Sequence, residues 1–403
     1  MSAASETNIG SAAAGSRRPA VLQVVPALGA GGVERGTVDM ALALQSAGWI
    51  AVIASSGGPL VREAERGGAR HVTLPVQSKN PFVIRANAAR LAQVIEDFEI
   101  DVVHARSRAP AWSALWAARR TGRHFVTTFH NIYSGDAGLK RHYNAVMAKG
   151  ERVIAISEFV GSHVAAVYGV GPDRLRVIPR GIDFARFDPE RVSPERLIAL
   201  ARQWRLPDGA PIVMLPGRLS RWKGHTVLID ALARLSRPGV HCLLVGSGDE
   251  RYRGELAEQA KARGLGASLQ IVEDCRDMPA AYMLADVVVS ASTSPEGFGR
   301  VIVEAQGMGR PVVATDHGGA RETVIPGTTG ILVPPGDPAA LAAAIAEALD
   351  LEPEARLAQA SRAIAHVRRH FDTATMAART IGVYEELVFP AAAAKRAASA
   401  VLA

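Results

Sequence analysis

The sequence is poor in cysteine and in aromatic residues, and it contains no long apolar run. Its two cysteines, Cys242 and Cys275, are too few for a disulfide framework or a four-thiolate metal site, so we expect a reducing compartment. No stretch approaches the roughly 18 consecutive apolar residues of a membrane-spanning helix. Aromatic residues make up 5% of the chain, which leaves no evident stacking platform, and no nucleic-acid partner is expected. We expect a cytoplasmic, globular protein.

Two arginines near the N-terminus precede an apolar stretch and imitate a signal peptide. Arg17 and Arg18 stand before the apolar residues 20–30. Cleavage there would remove residues 21–25, which are better explained as the first strand of a sheet. We therefore predict that residues 1–18 form a disordered tail and that 391–403 form a second, Ala-rich tail.

Positive charge is concentrated in the first half of the chain. Residues 1–190 hold 22 Lys and Arg against 16 Asp and Glu, and within 102–152 nine basic residues accompany two acidic ones. Such a cluster could attract anionic lipid headgroups, a phosphorylated acceptor molecule or nucleic acid, or it could be the solvated face of two helices. We predict peripheral contact with an anionic membrane. The basic residues include Arg106, Arg108, Arg119, Arg120, Arg123, Lys140 and Arg141.

Short β-branched segments alternate with helical patterns along the chain, as in βαβ units with parallel sheets. The predicted strands are 20–25, 50–55, 71–74, 101–104, 124–128, 152–156 and 175–178, then 211–216, 240–246, 269–272, 286–290, 311–314 and 331–333. Residues 179–195 interrupt the alternation with prolines, glycine and charges, as a linker would. We predict two doubly wound Rossmann-like α/β domains, 19–190 and 191–372, which face each other across a cleft, and a C-terminal helix at 373–390.

A strand, a glycine turn and a helix follow one another at residues 287–305. Gly297 and Gly299 allow backbone N–H groups to approach an anion, and the positive end of the helix adds to the attraction. The carboxylates of Glu296 and Glu304 are better suited to accept hydrogen bonds from sugar or ribose hydroxyls than to meet phosphate, which they would repel.

A second charged turn follows the predicted strand 211–216. Here Arg218 can form a two-pronged hydrogen bond to phosphate oxygens, and Lys223 supplies a compact positive charge. The pair suits the stabilisation of a departing diphosphate. The turn is not a P-loop, and the first βα turn lacks a full Gly-x-Gly-x-x-Gly, so a dehydrogenase interpretation is weak.

These motifs together make the chain resemble glycosyltransferase family 4, the retaining enzymes of the GT-B fold, over about residues 20–388. Glu296 and Glu304 match its Glu-x7-Glu pair, and Arg218 and Lys223 lie in its charged turn. The resemblance implies that the two cations hold the donor diphosphate and that Glu304 contacts the ribose. It further implies that Glu296 contacts the transferred sugar together with the backbone of Gly297, Phe298 and Gly299.

The first domain has two matching positions. The resemblance implies that Gly31 and Gly32, after the first strand, approach the bridging phosphates. It also implies that His130, after the strand 124–128, donates or accepts a hydrogen bond to the transferred sugar and does not abstract a proton. Arg180 is a departure, because the family often has asparagine there.

The function implied is transfer of a hexose-type sugar from a nucleotide-diphosphate sugar, with UDP and GDP both open. The acceptor is a cell-envelope molecule such as lipopolysaccharide, a lipid-linked glycan or exopolysaccharide. No Asp-x-Asp follows a strand, so we predict that no metal and no cofactor are required. The alternatives are an inverting or phosphorylase-like transferase of the same fold, and a catalytically silent sugar-nucleotide-binding or membrane-associated scaffold.

Overall fold

Seven parallel strands form the sheet of the first domain. The structure, a computed structural model, describes residues 17–29, 31–133, 138–235 and 237–393. The strands are β1 (Ala20–Val24), β2 (Ile50–Ser55), β3 (Arg70–Thr73), β4 (Val102–Ala105), β5 (His124–Phe129), β6 (Arg152–Ala155) and β7 (Leu175–Val177). Their order is β3-β2-β1-β4-β5-β6-β7, so the winding direction reverses between β1 and β4.

Six parallel strands form the sheet of the second domain. They are β8 (Ile212–Pro216), β9 (His241–Val245), β10 (Leu269–Val272), β11 (Val287–Ser290), β12 (Val312–Thr315) and β13 (Ile331–Val333). Their order is β10-β9-β8-β11-β12-β13, which places a second reversal between β8 and β11. Parallel doubly wound sheets bind ligands at such reversals, beyond the carboxyl ends of the strands.

Helices connect the strands of both sheets. Those of the first domain are α1 (Gly32–Ser46), α2 (Val61–Arg66), α3 (Pro81–Asp97), α4 (Arg108–Thr121), α5 (Gly138–Asn144) and α6 (Glu158–Tyr168). The later helices are α7 (Pro194–Gln203), α8 (His225–Arg234), α9 (Glu250–Ala262), α10 (Met278–Leu284), α11 (Arg300–Gly307), α12 (Ala320–Thr323), α13 (Pro338–Leu349), α14 (Pro353–His370) and α15 (Thr373–Val388).

The predicted strands are all present, and their ends differ from the prediction by at most one residue. They could be predicted because strands buried on both faces are continuous β-branched or apolar runs. Local signals also set helix starts: the Asp337 carboxylate accepts hydrogen bonds from Ala339 N and Ala340 N, and Pro338 occupies the first helical position of α13. The two-domain doubly wound architecture is confirmed.

The chain crosses between the domains at two adjacent points. Ile182 N donates to Phe371 O at 2.9 Å, and Thr373 N donates to Ile182 O at 3.1 Å. Ile182 and Phe187 are buried, so the segment predicted as a linker is packed at its centre and is not a free tether. Because both crossings are hydrogen-bonded to each other, any relative movement of the domains must bend them together.

Helix α15 returns to the first domain after the second sheet is complete. Tyr384 is fully buried there, and its ring centroid lies 6.1 Å from that of Trp49. The Glu386 carboxylate pairs with Arg152 at 2.7 Å and with Arg176 at 2.8 Å. The first domain is thus built from both ends of the chain.

Most of the two predicted tails lies outside the described residues. Arg17 and Arg18 are described and are held against the first domain: Arg17 Nη2 lies 2.5 Å from Asp101 Oδ1, and Arg18 Nε donates to Gly48 O at 2.8 Å. Within the described ranges, none of the helices has both the length and the apolarity needed to cross a bilayer.

Candidate active site

The loop after β8 carries the two predicted donor cations, and glycines shape it. Gly217, at φ 137°, follows the strand, and a 3-10 turn at Arg221–Lys223 leads to Gly224 at φ 73°. A Cβ atom on Gly224 would lie 1.7 Å from the carbonyl oxygen of Ala291, so only glycine fits. Arg218 is exposed. The turn thereby brings the loops after β8 and β11 into direct contact.

Lys223 and Glu296 form an ion pair between these two loops. The distance from Lys223 Nζ to Glu296 Oε1 is 2.7 Å, and the side chains are only 13% and 15% exposed. Ser292 Oγ also donates to Glu296 Oε1. A ligand that carries a phosphate next to hydroxyl groups can therefore engage the ammonium and the carboxylate at one place.

The backbone around Glu296 is fixed from behind by two glycines that follow β12. Gly319 N donates to Glu296 O at 2.8 Å. A Cβ atom would lie 2.4 Å from Glu296 O if placed on Gly318, and 2.5 Å from Phe298 Cα if placed on Gly319. The loop thus rests directly on backbone, which defines where its N–H groups point.

The ring of Phe298 packs into the interior and leaves only the backbone of this residue in the loop. The side chain is buried, with its ring centroid 5.5 Å from that of Phe371. Gly299, at φ 80°, ends the loop, and α11 begins at the next residue. The ring packs the loop onto the domain, and the N-terminus of an eight-residue helix stands behind it.

Glu304 is buried one turn into α11, and both of its carboxylate oxygens accept hydrogen bonds. Tyr282 Oη donates to Oε2 at 2.8 Å, and Arg300 Nε donates to Oε1 at 2.7 Å. Burial, and secondly the nearby Glu304 carboxylate, raise the pKa of Tyr282 well above its usual value. The tyrosine stays a proton donor, and it holds the carboxylate in one orientation.

His130 follows β5 and lies beside residues 297–299 of the other domain, which we call the glycine loop. A Cβ atom on Gly297 would lie 3.0 Å from His130 O. Both ring nitrogens of His130 are buried and have no partner among the described residues. Burial, followed by the positive charges of Arg180 and Arg106, holds the pKa of His130 well below its usual range. At neutral pH the ring therefore offers one N–H and one lone pair.

The domains also meet where α6 begins. Ser157 Oγ donates to Gly297 O at 2.5 Å, across the cleft. The Glu322 carboxylate accepts from Glu158 N at 2.8 Å and from Phe159 N at 2.7 Å. A carboxylate at a helix N-terminus is favourable because it pairs with free N–H groups and with the helix dipole. These contacts hold the cleft closed over the glycine loop.

Gly31 and Gly32 begin α1. Gly31 is the N-cap residue, and its φ of −76° is one that any residue can adopt, so the backbone conformation does not require glycine there. The Arg180 side chain lies next to Gly32, where its Nη1 would be at an ordinary contact distance of 3.5 Å from an added Cβ. Arg180 also donates a hydrogen bond to Gly32 O.

The basic residues between 102 and 152 do not form one surface. Arg106 is 5% exposed and lies in the cleft, so it cannot contact a membrane; including it in that cluster was wrong. Arg108 Nη1 donates to Asn144 Oδ1 at 3.0 Å, and its guanidinium lies over the Tyr133 ring. Exposed members of the cluster are Arg119, Arg120, Arg123, Lys140, Arg141 and Lys149.

Several residues of the site were missed from the sequence, namely Ser157, Gly318, Gly319 and Glu322, and Arg180 was noted there only as a departure from the family pattern. Gly318 and Gly319 had a signal, because they follow a buried strand as Gly297 does. The interdomain partners had none, since Ser157 and Gly297 are 140 positions apart. Among the described residues, no cluster of three His, Cys, Asp or Glu side chains is arranged to hold a metal ion.

Two protein families match the two halves of the chain. The family described as "Glycosyltransferase Family 4" matches residues 30–186, and "Glycosyl transferases group 1" matches 199–365. D-inositol 3-phosphate glycosyltransferase of Xylanimonas cellulosilytica is 31% identical over 329 residues, which cover 75% of each chain.

Solved structures with the same architecture cover nearly the whole chain. A crystal structure of a glycosyltransferase from Rickettsia africae is 37% identical, has a TM-score of 0.85, and covers 93% of this chain and 100% of that one. HepE of Anabaena, crystallised with UDP and glucose, is 26% identical with a TM-score of 0.81, and the match covers 91% and 99% of the two chains.

Proposed function

The chain belongs to glycosyltransferase family 4, and we propose that it transfers a hexose-type sugar from a nucleotide-diphosphate sugar with retention and without a metal. The observation that carries the proposal is the meeting of two domains at one point. Gly297 abuts His130 of the first domain, and next to it Glu296 pairs with Lys223. A cation, a carboxylate and an imidazole with no partner among the described residues thereby come from separate strands to one place.

The ion pair suggests how the donor is bound. The diphosphate takes Lys223 and Arg218 as partners, which frees the Glu296 carboxylate to accept hydrogen bonds from sugar hydroxyls. The backbone N–H groups of 297–299, ahead of α11, add donors at the phosphate end. Glu304 accepts from the ribose, in place of one of its present donors. HepE, which was crystallised with UDP and glucose, supports a donor of this class.

The leaving diphosphate needs charge stabilisation, and the two cations supply it. Preorganised positive charge in a closed cleft acts where negative charge develops in the transition state, which is the largest single contribution in many enzymes. We propose that the sugar leaves and the acceptor arrives on the same face, as the family resemblance implies for retention. The hydrogen bonds between the Glu322 carboxylate and the start of α6, which we call the clasp at Glu322, join the two domains. A cleft closed in this way excludes water that would otherwise hydrolyse the donor.

His130 is proposed to hydrogen-bond the transferred sugar near the reacting carbon. Its ring nitrogens have no partner in the described part of the chain, and its depressed pKa keeps it neutral. A neutral ring beside an oxocarbenium-like centre avoids the repulsion that an imidazolium would cause. This accounts for two buried ring nitrogens that have no partner among the described residues.

The proposed acceptor is a cell-envelope molecule such as lipopolysaccharide, a lipid-linked glycan or exopolysaccharide. An exposed face of α4 supports access to a membrane: Trp116 is 41% exposed, and Arg119 and Arg120 are exposed near the end of the helix. Aromatic and basic side chains together favour the headgroup region of an anionic bilayer.

A screen of UDP- and GDP-sugars for slow hydrolysis tests the proposal. The purified protein should release sugar from one of them, in buffer with a chelator. Glu304→Ala should keep the fold, as judged by its unfolding temperature, and lose turnover. Binding of a donor without any turnover would instead favour the silent scaffold, and near-normal turnover by Glu304→Ala would show that the ribose assignment is wrong.

A further inference from the structure

Three arginines converge on one face of α1 in the closed cleft. Gly32 and Gly36 lie one helical turn apart, so they share this face. An added Cβ on Gly32 would lie 3.5 Å from Arg180 Nη1 and 3.7 Å from Arg300 Nη1. On Gly36 it would lie 2.7 Å from Arg180 Nη2 and 3.4 Å from Arg106 Nη2. We call Arg106, Arg180 and Arg300 the arginine cluster.

The arginine cluster carries more positive charge than its neighbours neutralise. Arg300 pairs with Glu304, but neither Arg106 nor Arg180 forms an ion pair with any residue that the structure describes. Arg106 is 5% exposed, and its Nε is buried with no hydrogen-bond partner in the described part of the chain. A buried charged group without hydrogen-bond partners destabilises the folded protein, and a ligand that supplied those partners would relieve this destabilisation.

The nearby carboxylates of Asp39 and Glu34 offset this charge only in part: burial and the two neighbouring guanidinium groups lower the pKa of Arg180 by more than the two carboxylates raise it. Asp39, one turn further along α1, pairs with Arg35 at 2.8 Å, and Arg35 also pairs with Glu63 at 2.6 Å. The N-terminus of α1 adds partial positive charge of its own. Burial, followed by the charges of Arg300 and Arg106, lowers the pKa of Arg180 to about 9. The surroundings therefore favour an anion between the guanidinium groups.

The position of the cluster places it at the reaction centre. Arg106 follows β4 directly and Gly32 follows β1, so both stand at the winding reversal of the first sheet. The charges of Arg180 and Arg106 reach the His130 ring, and Arg300 is bonded to Glu304. The cluster thus lies between the residues proposed to contact the transferred sugar and the ribose.

We propose that Arg106 and Arg180 form a second oxyanion site in the cleft, which binds a phosphate group of a substrate. Planar guanidinium groups form paired hydrogen bonds to phosphate oxygens, and Arg106 has a buried donor free for this purpose. This inference rests on the proposed transferase function. It assigns a phosphate to the first domain, in addition to the two cations of the second domain.

Two substrates can supply that phosphate. One is the donor, whose diphosphate would then be held from both sides of the cleft. The other is a phosphorylated acceptor, whose phosphate would set specificity. The two sources differ in one respect: a donor diphosphate competes with free phosphate for the cluster, whereas an acceptor site stays available when the donor site is full.

Calorimetric titration with inorganic phosphate, with and without saturating UDP, tests the proposal. The wild type should bind phosphate, and Arg180→Asn and Arg106→Gln should each weaken this binding at least about tenfold. Gly36→Ala should weaken it too, because its Cβ displaces the Arg180 guanidinium without removing a charge. Arg180→Lys should retain part of the binding. Arg85→Asn, at an exposed position on α3, is the matched control and should bind as the wild type does.

The effect of UDP on phosphate binding distinguishes the two sources of the phosphate. If UDP abolishes phosphate binding and Arg180→Asn also weakens UDP, the donor supplies the phosphate; if phosphate binds beside UDP, the acceptor does. No phosphate binding by the wild type, or equal binding by wild type and both cluster variants, overturns the proposal. Unfolding temperatures distinguish a structural role: removing Arg180 should leave that temperature nearly unchanged, because the relief of repulsion from Arg106 and Arg300 offsets the lost hydrogen bond to Gly32 O. Donor hydrolysis by the wild type tests the transferase function independently.

Discussion

Lys223 Nζ donates to Glu296 Oε1 at 2.7 Å, so the cation proposed for the diphosphate and the carboxylate proposed for the sugar are partners. Each keeps the other from being an unpaired, largely buried charge. Because the donor offers both an anion and hydroxyl groups, it can replace this single bond by separate bonds to each residue. The site is thereby stable and ready for one class of ligand.

Replacing Lys223 tests this relationship. We expect Lys223→Ala to reduce turnover by about 10²–10³-fold, the effect of removing one preorganised group from developing negative charge. Arg221→Ala is the control, since Arg221 is on the same turn, is exposed, and has its contacts with Glu255 and the ring of Tyr252 rather than with Glu296. Steady-state kinetics with the donor found in the screen measure the turnover of both variants. Turnover of Lys223→Ala within a few-fold of the control would show that the diphosphate lies elsewhere.

The clasp between Glu322 and the start of α6 should govern domain closure. Glu322→Ala removes a carboxylate from two backbone N–H groups at a helix N-terminus, which costs about 0.3–2 kcal/mol. We expect a larger radius of gyration in small-angle scattering with UDP bound and a lower turnover, with a nearly unchanged unfolding temperature. Glu354→Ala, in the exposed first turn of α14, is the control. An unchanged radius and turnover in Glu322→Ala would contradict a role in closure.

His225 should make the fold sensitive to acid. Burial lowers the pKa of His225 to about 4, whereas the unfolded chain titrates near its ordinary 6.5. As the pH falls below 6.5, His225 becomes protonated in the unfolded state but stays neutral in the folded state. The free energy of unfolding therefore declines until about pH 4. The difference between the two pKa values corresponds to a loss of roughly 3 kcal/mol in the free energy of unfolding.

Urea unfolding at pH 7 and pH 4.5 measures this effect, in the wild type and in His225→Leu. The variant should lose less stability than the wild type between the two pH values. Part of the loss should remain, because burial also lowers the pKa of His104 and His130. An identical loss in variant and wild type would mean that His225 is protonated in the folded protein.

The exposed end of α4 should determine membrane association. We expect binding to anionic liposomes that weakens as salt is raised, and loss of that binding when Arg119, Arg120 and Arg123 are replaced by serine. A triple variant at Arg251, Arg362 and Arg369, exposed arginines of the second domain, changes the charge equally and should bind as the wild type does. Equal binding to neutral and anionic liposomes in a sedimentation assay would remove the membrane proposal.

The sequence allowed the elements of the fold to be predicted because each has a local cause. Buried parallel strands are apolar runs, and Asp337 with Pro338 marks a helix start within three residues. The same locality made the glycine loop at 297–299 recognisable. The contact of Arg180 with Gly32 joins positions 148 apart and the clasp at Glu322 joins positions 164 apart, so neither leaves a pattern along the chain. Those contacts depend on how two domains meet, which only the folded arrangement defines.

Nuclear magnetic resonance of the sugar first released from an α-linked nucleotide-diphosphate sugar, in the presence of a chelator, tests the account most directly. The α-anomer should appear first and then equilibrate with the β-anomer, and Lys223→Ala should release neither at a comparable rate. Initial release of the β-anomer, or release that requires added Mg²⁺ or Mn²⁺, would contradict a retaining, metal-independent transferase.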